Sequence, residues 1–146
     1  MNISKLVRHD GREPFWFMTG GERIVSDGHV AVLTDETASL KHRECLDGDW
    51  LGELFANSDT RRAAVKRKPF VHLGSYTRDL FAPGSAALCV RIGEAVAALG
   101  YVALVEALHP ECRWRAPKCP SIPGNCNLIA TVGDKPVAAL MPLGDR

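Results

Sequence analysis

Four residues of the types that bind zinc lie in the second half of the chain: His109, Cys112, Cys119 and Cys126. Thiolate and imidazole are ligands that zinc prefers. Their spacing is H-x2-C-x6-C-x6-C, whereas zinc knuckles place ligands in pairs two to four residues apart. Small buried or half-buried thiols are the other interpretation. We expect no metal site and no cofactor, and a small metal- or thiol-dependent enzyme that uses the Cys112–Cys126 loop is the alternative.

One acid–base pair is suggested by spacing, because Asp27 and His29 are two residues apart and would share a face of a strand. A histidine directly after a turn is, however, commonly a turn-edge residue. The chain has no G-x-S-x-G, H-E-x-x-H or C-x-x-C motif and no glycine loop for phosphate. These observations favour a protein that is not an enzyme, with no catalytic residues.

A basic run within positions 61–68 contains Arg61, Arg62, Lys66, Arg67 and Lys68. We expect a short helix here that Pro69 ends, with several of the basic residues on one face. Such a face could contact DNA phosphates. The alternative is a solvated face balanced by the acidic residues Asp47, Asp49, Glu53 and Asp59. The net charge is only +1, so DNA binding would depend on this local patch.

Two β-hairpins are expected to form the framework. The first joins Arg23–Ser26 to His29–Thr34 around Asp27-Gly28, with Ile24 opposite Leu33. The second joins Asn127–Val132 to Pro136–Met141 around Gly133-Asp134-Lys135. Turn residues between β-favouring runs are the strongest short-range hairpin signal.

Two helices and three further strands complete the prediction. Apolar spacing predicts a helix over Asp47–Asn57, and a core helix within Gly93–Leu108 that buries Leu104, Val105 and Leu108. Strands are expected over Phe15–Met18, Ala87–Ile92 and Arg113–Arg115. The predicted fold class is α+β, an antiparallel sheet with about two core helices in a single domain over residues 1–146.

The composition is that of an ordinary globular protein, with 46% hydrophobic and 24% charged residues among 146. Residues 1–10 are polar and charged and do not resemble a secretory signal. The five cysteines leave at least one thiol without a disulfide partner. The longest apolar stretch, 95–108, is too short to span a bilayer. We expect a cytoplasmic protein that does not bind membranes.

Three segments together resemble one domain of the bacterial sliding clamp, the β subunit of the replicative DNA polymerase. They are SDGHVAVLT at Ser26–Thr34, the helix over Tyr101–Leu108 after a strand, and the closing hairpin that runs into Met141-Pro142-Leu143. In clamps, a Met-Pro tail lines a groove that binds short peptides of polymerases. The resemblance implies a clamp-like fold with Met141, Pro142 and Leu143 as partner-binding residues.

The chain also departs from the clamp pattern. A clamp chain has three domains and dimerises into a ring of six, so a lone domain could close a ring only as a homo-oligomer of six copies. Another domain helps to shape the clamp groove, and Met141 and Leu143 could instead be terminal strand residues that pack on the core. The expected function is a non-enzymatic, clamp-like interaction module. It would be a phage- or plasmid-type accessory of DNA replication or processing that binds a protein partner or DNA.

Overall fold

The computed structural model describes residues 14–37, 40–44, 47–71, 88–118 and 127–143, which form an α+β fold. The strands are β1 (Phe15–Thr19), β2 (Glu22–Ser26), β3 (Val30–Leu33), β4 (Lys41–His42), β5 (Thr60–Ala63), β6 (Val65–Val71), β7 (Leu88–Ile92), β8 (Ala95–Ala98), β9 (Arg113–Pro117), β10 (Leu128–Val132) and β11 (Lys135–Leu140). The helices are α1 (Trp50–Ala56) and α2 (Leu99–Leu108).

Eight strands form a large sheet in the order β4-β1-β2-β3-β11-β10-β9-β5. The short β4 pairs parallel with β1, and the other neighbours in this sheet are antiparallel. Strands β6, β7 and β8 form a second, antiparallel sheet. The pairing of β3 with β11 joins the two predicted hairpins edge to edge, with Ala31 opposite Ala139.

Both faces of the large sheet are buried along its central strands. Its inner face packs against the second sheet and α2 through side chains that include Val25, Val32, Leu128, Ala138 and Leu140. Its outer face packs against α1 through Phe17, Ile24, Ala31, Ile129 and Ala139. Because consecutive strand residues point to opposite faces, burial of both faces requires apolar residues at consecutive positions. This requirement explains the continuous apolar runs of β3 and β11.

Among the described residues, backbone hydrogen bonds fall at two places where the sheets meet. Strand β5 leads into β6 through Ala64, whose carbonyl oxygen accepts a 3.4 Å hydrogen bond from the backbone N–H of Gly93. After β11, Leu143 pairs with Val96 of β8 through a 2.8 Å backbone hydrogen bond. Gly93 has φ +61°, and a Cβ there would lie 3.1 Å from the Cβ of Ala116. A larger residue would force the β7–β8 turn away from β9.

The hairpin predictions are confirmed, with a shift of one residue in each turn: Lys135, expected in the second turn, begins β11. Ile24 lies opposite Leu33 as predicted. The backbone N–H of Asp27 bonds to the carbonyl of Val30 at 3.3 Å, so the two loop residues are Gly28 and His29 rather than Asp27 and Gly28. The second hairpin pairs antiparallel around a turn of Gly133 and Asp134, and its register shifts after Ala130.

The predicted helix over the basic run is wrong, because residues 60–68 belong to β5 and β6. Thr60 and Val65 are β-branched and Phe70 is aromatic, which suits strands. Strand β5 pairs with β9, and β6 pairs with β7. Tertiary pairing therefore overrides the helix preference of the arginines, lysines and alanines.

The two core helices are confirmed, although the second begins later than Gly93, the start of the range predicted for it. Asp49 caps α1, since its Oδ1 accepts a 3.1 Å hydrogen bond from the N–H of Gly52. Residues 95–98 form β8, so α2 begins at Leu99. Leu104 and Val105 are fully buried, and Leu108 is half-buried.

Replacing Leu104 by Ala should destabilise the fold by roughly 2–5 kcal/mol, because it removes buried apolar surface and leaves a cavity. Chemical denaturation measures this free energy of unfolding. The half-buried Leu108, changed to Ala, serves as the control and should cost less. A loss below about 1 kcal/mol for Leu104→Ala would contradict core burial.

Candidate functional site

A cleft of about 420 Å³ opens on the outer face of the large sheet, beside α1. We call it the sheet-face cleft. Strand register places Ser26, Ala31 and Ala139 side by side on three neighbouring strands, with Phe15 next to Ser26. Three small side chains in a row leave a depression in the sheet surface. Helix α1 has only seven residues, a length of about 10 Å, and does not fill it.

The walls of the sheet-face cleft are largely aromatic. Phe15 and Phe17 have ring centroids 6.1 Å apart, and Trp50 meets Phe17 edge to face at 5.8 Å. Leu54 adds an aliphatic side chain from the next turn of α1. Aromatic walls with small side chains at the floor favour a large apolar group as the occupant.

The start of α1 is fastened to β1, which sets the width of the sheet-face cleft. The buried hydroxyl of Thr19 accepts a 2.7 Å hydrogen bond from the N–H of Trp50 and donates one of 3.0 Å to the carbonyl of Gly48. The N–H of Gly20 donates to the same carbonyl at 2.6 Å. The aromatic wall is therefore held by hydrogen bonds as well as by packing.

The rim of the sheet-face cleft carries the polar and flexible groups. It is formed by His29, Arg43, Glu44, Asn127 and Met141. The guanidinium of Arg43 lies 4.1 Å from the centroid of the Phe15 ring. Met141 is 39% exposed, and its N–H donates to the carbonyl of His29 at 2.8 Å. The described rim residues include one arginine and one glutamate, whose charges balance.

A buried carboxylate holds the turn that forms part of this rim. Asp27 is 2% exposed, and its Oδ1 accepts hydrogen bonds from the N–H groups of His29 and Val30 at 2.8 and 3.0 Å. Its Oδ2 accepts a 2.6 Å bond from the hydroxyl of Tyr101 on α2. Asp27 thus contacts the backbone of His29. This arrangement supports a structural role for Asp27 over an acid–base pair with the imidazole.

Changing Tyr101 to Phe should destabilise the protein by about 1–3 kcal/mol, because it leaves one oxygen of a buried carboxylate without its donor. Thermal or chemical denaturation measures the effect. In an Asp27→Asn background the same change should cost less, since the charged acceptor is gone. Equal losses in the two backgrounds would show that this hydrogen bond does not carry the stabilisation.

The three predicted partner-binding residues lie in different surroundings. Met141 lines the rim of the sheet-face cleft, and Pro142 is half-buried. Leu143 is 6% exposed and packs in the core between the sheets. Only the first of the three is placed to touch a ligand in the cleft. For Leu143, the structure matches the alternative interpretation, in which a terminal residue packs on the core.

The five basic residues of the run are all exposed, on two strands instead of one helix face. Arg61 and Arg62 lie on β5, and Lys66, Arg67 and Lys68 lie on β6. Register places Arg62 opposite Arg115, and Lys66 opposite Arg91. Each pairing places an arginine beside one basic residue of the run, although Arg115 is half-buried and donates hydrogen bonds to Thr60.

Arg67 differs from the rest of the run because it is ion-paired. Its two terminal nitrogens bond to the two carboxylate oxygens of Glu106 on α2, at 2.6 and 2.7 Å. This bidentate hydrogen bond lowers the pKa of Glu106, against the opposing effect of burial. A hydrogen-bonding contact from the Trp114 side chain adds a smaller lowering of that pKa.

Replacing Glu106 by Gln should cost roughly 0.2–1 kcal/mol at neutral pH, the range for an exposed ion pair. The pKa of Glu106 in the folded protein is below the ordinary value of about 4.3. The ion pair therefore contributes its full stability at pH values above the ordinary pKa of Glu106. This stability is lost as the pH falls through the lower pKa of the folded state. The free energies of unfolding of the wild-type protein and the Glu106→Gln variant, measured by chemical denaturation, should become equal in acid. The control is Glu111→Gln, at an exposed position, which should leave the free energy of unfolding unchanged at neutral pH and in acid.

Cys112 is half-buried near this ion pair, and burial together with the Glu106 charge raises the pKa of its thiol. A protonated thiol is a poor nucleophile and a poor metal ligand. Within the described ranges, no three His, Cys, Asp or Glu residues are close enough to hold a metal ion. His109 instead places its Nε2 2.6 Å from the carbonyl oxygen of Leu33. Cys119 and Cys126 of the proposed ligand set lie outside the described residues.

Comparison with protein-family models, with curated proteins and with solved structures finds no match to this chain. In the part of the chain that the structure describes, neither helix has the length and apolar character needed to cross a membrane.

Sequence reasoning did not find the sheet-face cleft. Its walls and floor come from β1, β2, β3 and α1, which lie within residues 15–56, and from β11, which follows much later in the chain. One signal was present: Ala31 and Ala139 are small residues inside apolar strands. The two alanines form the floor of a cleft only because the strand register brings them side by side, and the sequence does not reveal that register.

Proposed function

We propose that this protein is a non-enzymatic interaction module, similar in role to a single sliding-clamp domain, that binds a protein partner in the sheet-face cleft. The observation that carries the proposal is the combination of aromatic walls, a floor of small side chains and the exposed Met141 at the rim. A flexible thioether beside rigid aromatic rings suits apolar side chains of a peptide.

The partner segment should present one or two large apolar side chains. A cleft of about 420 Å³ accepts groups of that size. The nearest buried carboxylate, Asp27, does not line the cleft, and its three hydrogen bonds go to the β2–β3 turn and to Tyr101. This supports binding over catalysis at the cleft. The clamp-like role in DNA replication or processing rests on the sequence resemblance.

Peptides selected from a random displayed library should bind wild-type protein through large apolar residues. Met141→Ala should weaken that binding by about tenfold, the loss expected for a contact worth about 1.4 kcal/mol. Isothermal titration calorimetry measures the dissociation constants. Leu88→Ala is the matched control, because Leu88 is an apolar side chain of similar exposure, 44%, that does not line the cleft. Equal affinity for both variants would place the binding surface elsewhere.

Duplex DNA is the second candidate ligand, favoured by the exposed basic strands β5 and β6. The side chains of Arg61, Arg62, Lys66 and Lys68 make no hydrogen bond or ion pair with a described residue. Cations without protein partners can approach phosphates at little cost. Binding through them would be independent of base sequence and would weaken steeply with salt.

Replacing Arg62 and Lys66 together by Gln should reduce the salt dependence of DNA binding by about two phosphate contacts. Fluorescence anisotropy of a labelled duplex, measured over a series of salt concentrations, gives the slope. The control is the pair Arg23→Gln and Lys135→Gln, which removes the same charge from strands distant from β5 in the sheet. An unchanged slope in the first variant would exclude the basic strands as the DNA contact.

A further inference from the structure

A second cleft, of about 270 Å³, lies at the corner where β5 passes into β6 and β9 begins. We call it the corner cleft. Three arginines from three separate strands line it: Arg62, Arg67 and Arg113. Glu106 is the one carboxylate among its described lining residues, and Trp114 is also part of the lining. The charged side chains of this lining carry a net charge of +2.

Hydrogen-bond donors exceed acceptors in the corner cleft. Both oxygens of Glu106 are taken by Arg67 in the bidentate pair. Arg62 and Arg113 are exposed, and their side chains make no hydrogen bond or ion pair with a described residue. Each guanidinium carries five N–H donors in a planar fork that matches oxyanions. The carboxylate therefore neutralises one arginine and leaves two available to a ligand.

The indole of Trp114 lies at the buried side of the same cleft. Trp114 is 3% exposed, and a hydrogen-bonding contact from its side chain to Glu106 helps to lower the pKa of that carboxyl. The indole N–H therefore lies against the carboxylate of the Arg67–Glu106 pair, where its signal would report a ligand that binds beside the pair.

We propose that the corner cleft binds a phosphate group, held by Arg62 and Arg113, with the Arg67–Glu106 pair as a fixed wall. A tetrahedral dianion offers several acceptor oxygens to guanidinium groups that approach from different strands. The volume leaves room for a small group attached to the phosphate. The source is either a small phosphorylated molecule or the terminal phosphate of a nucleic acid. This site is separate from the sheet-face cleft and does not require a protein partner there.

The test is a titration of ¹⁵N-labelled protein with inorganic phosphate, followed by NMR through the indole N–H signals. The chain has three tryptophans, and Trp114→Phe assigns the relevant signal by its loss. We expect the Trp114 indole signal to shift in a saturable way. Sodium chloride at equal ionic strength should not reproduce the shift. Arg113→Gln should weaken phosphate binding by about tenfold, a typical loss for a charge-assisted contact.

The matched control is Arg61→Gln, which removes an exposed arginine of β5 that does not line the corner cleft. It should leave the phosphate affinity unchanged. Competition by a 5′-phosphorylated oligonucleotide, but not by the same sequence with a 5′-hydroxyl, would identify a nucleic-acid end as the source. If neither oligonucleotide competes with inorganic phosphate, the source of the phosphate group is a small phosphorylated molecule. A shift that does not saturate, or equal affinities for Arg113→Gln and Arg61→Gln, would overturn the proposal.

Discussion

The large sheet must be covered on both faces, and the rest of the structure depends on this constraint. Strands β3 and β11 are apolar at consecutive positions, so either face left open would expose a wide hydrophobic surface. The inner face is covered by a second sheet and by α2. The outer face has only the seven residues of α1, and the part that α1 leaves uncovered is the sheet-face cleft. The same apolar sheet therefore forms the core on its covered inner face and the candidate binding site on its partly covered outer face.

The carboxylate of Asp27 connects the two sides of that sheet. It braces the β2–β3 turn at the cleft rim and receives the hydroxyl of Tyr101 from α2 in the opposite core. A buried carboxyl group is costly unless it is hydrogen-bonded, and three donors bond to this one. The rim of the cleft is thus anchored in the protein interior. A turn backbone that is already held in place lowers the entropy lost when a ligand binds beside it.

Local signals in the sequence were sufficient for the hairpins, since Gly28 and Gly133 both adopt the positive φ that such turns need. They failed over residues 60–68, where arginine, lysine and alanine favour a helix but pairing with β9 and β7 imposes strands. Both clefts depended on contacts that no local pattern contains. The corner cleft joins Arg62, Glu106 and Arg113 from three segments, and only the folded sheet brings them together.

The pairing of β3 with β11 has a consequence for how the chain folds. It joins Val32 to Ala138, roughly a hundred residues later, at the centre of the large sheet. Closing so long a loop costs entropy before any contact is gained, and such topologies fold slowly. Strands β1 to β3 can form early as local hairpins, but β3 then waits with an unpaired, apolar edge until β11 is synthesised. During that interval the nascent protein is open to aggregation, and a chaperone that shields strand edges would raise its yield.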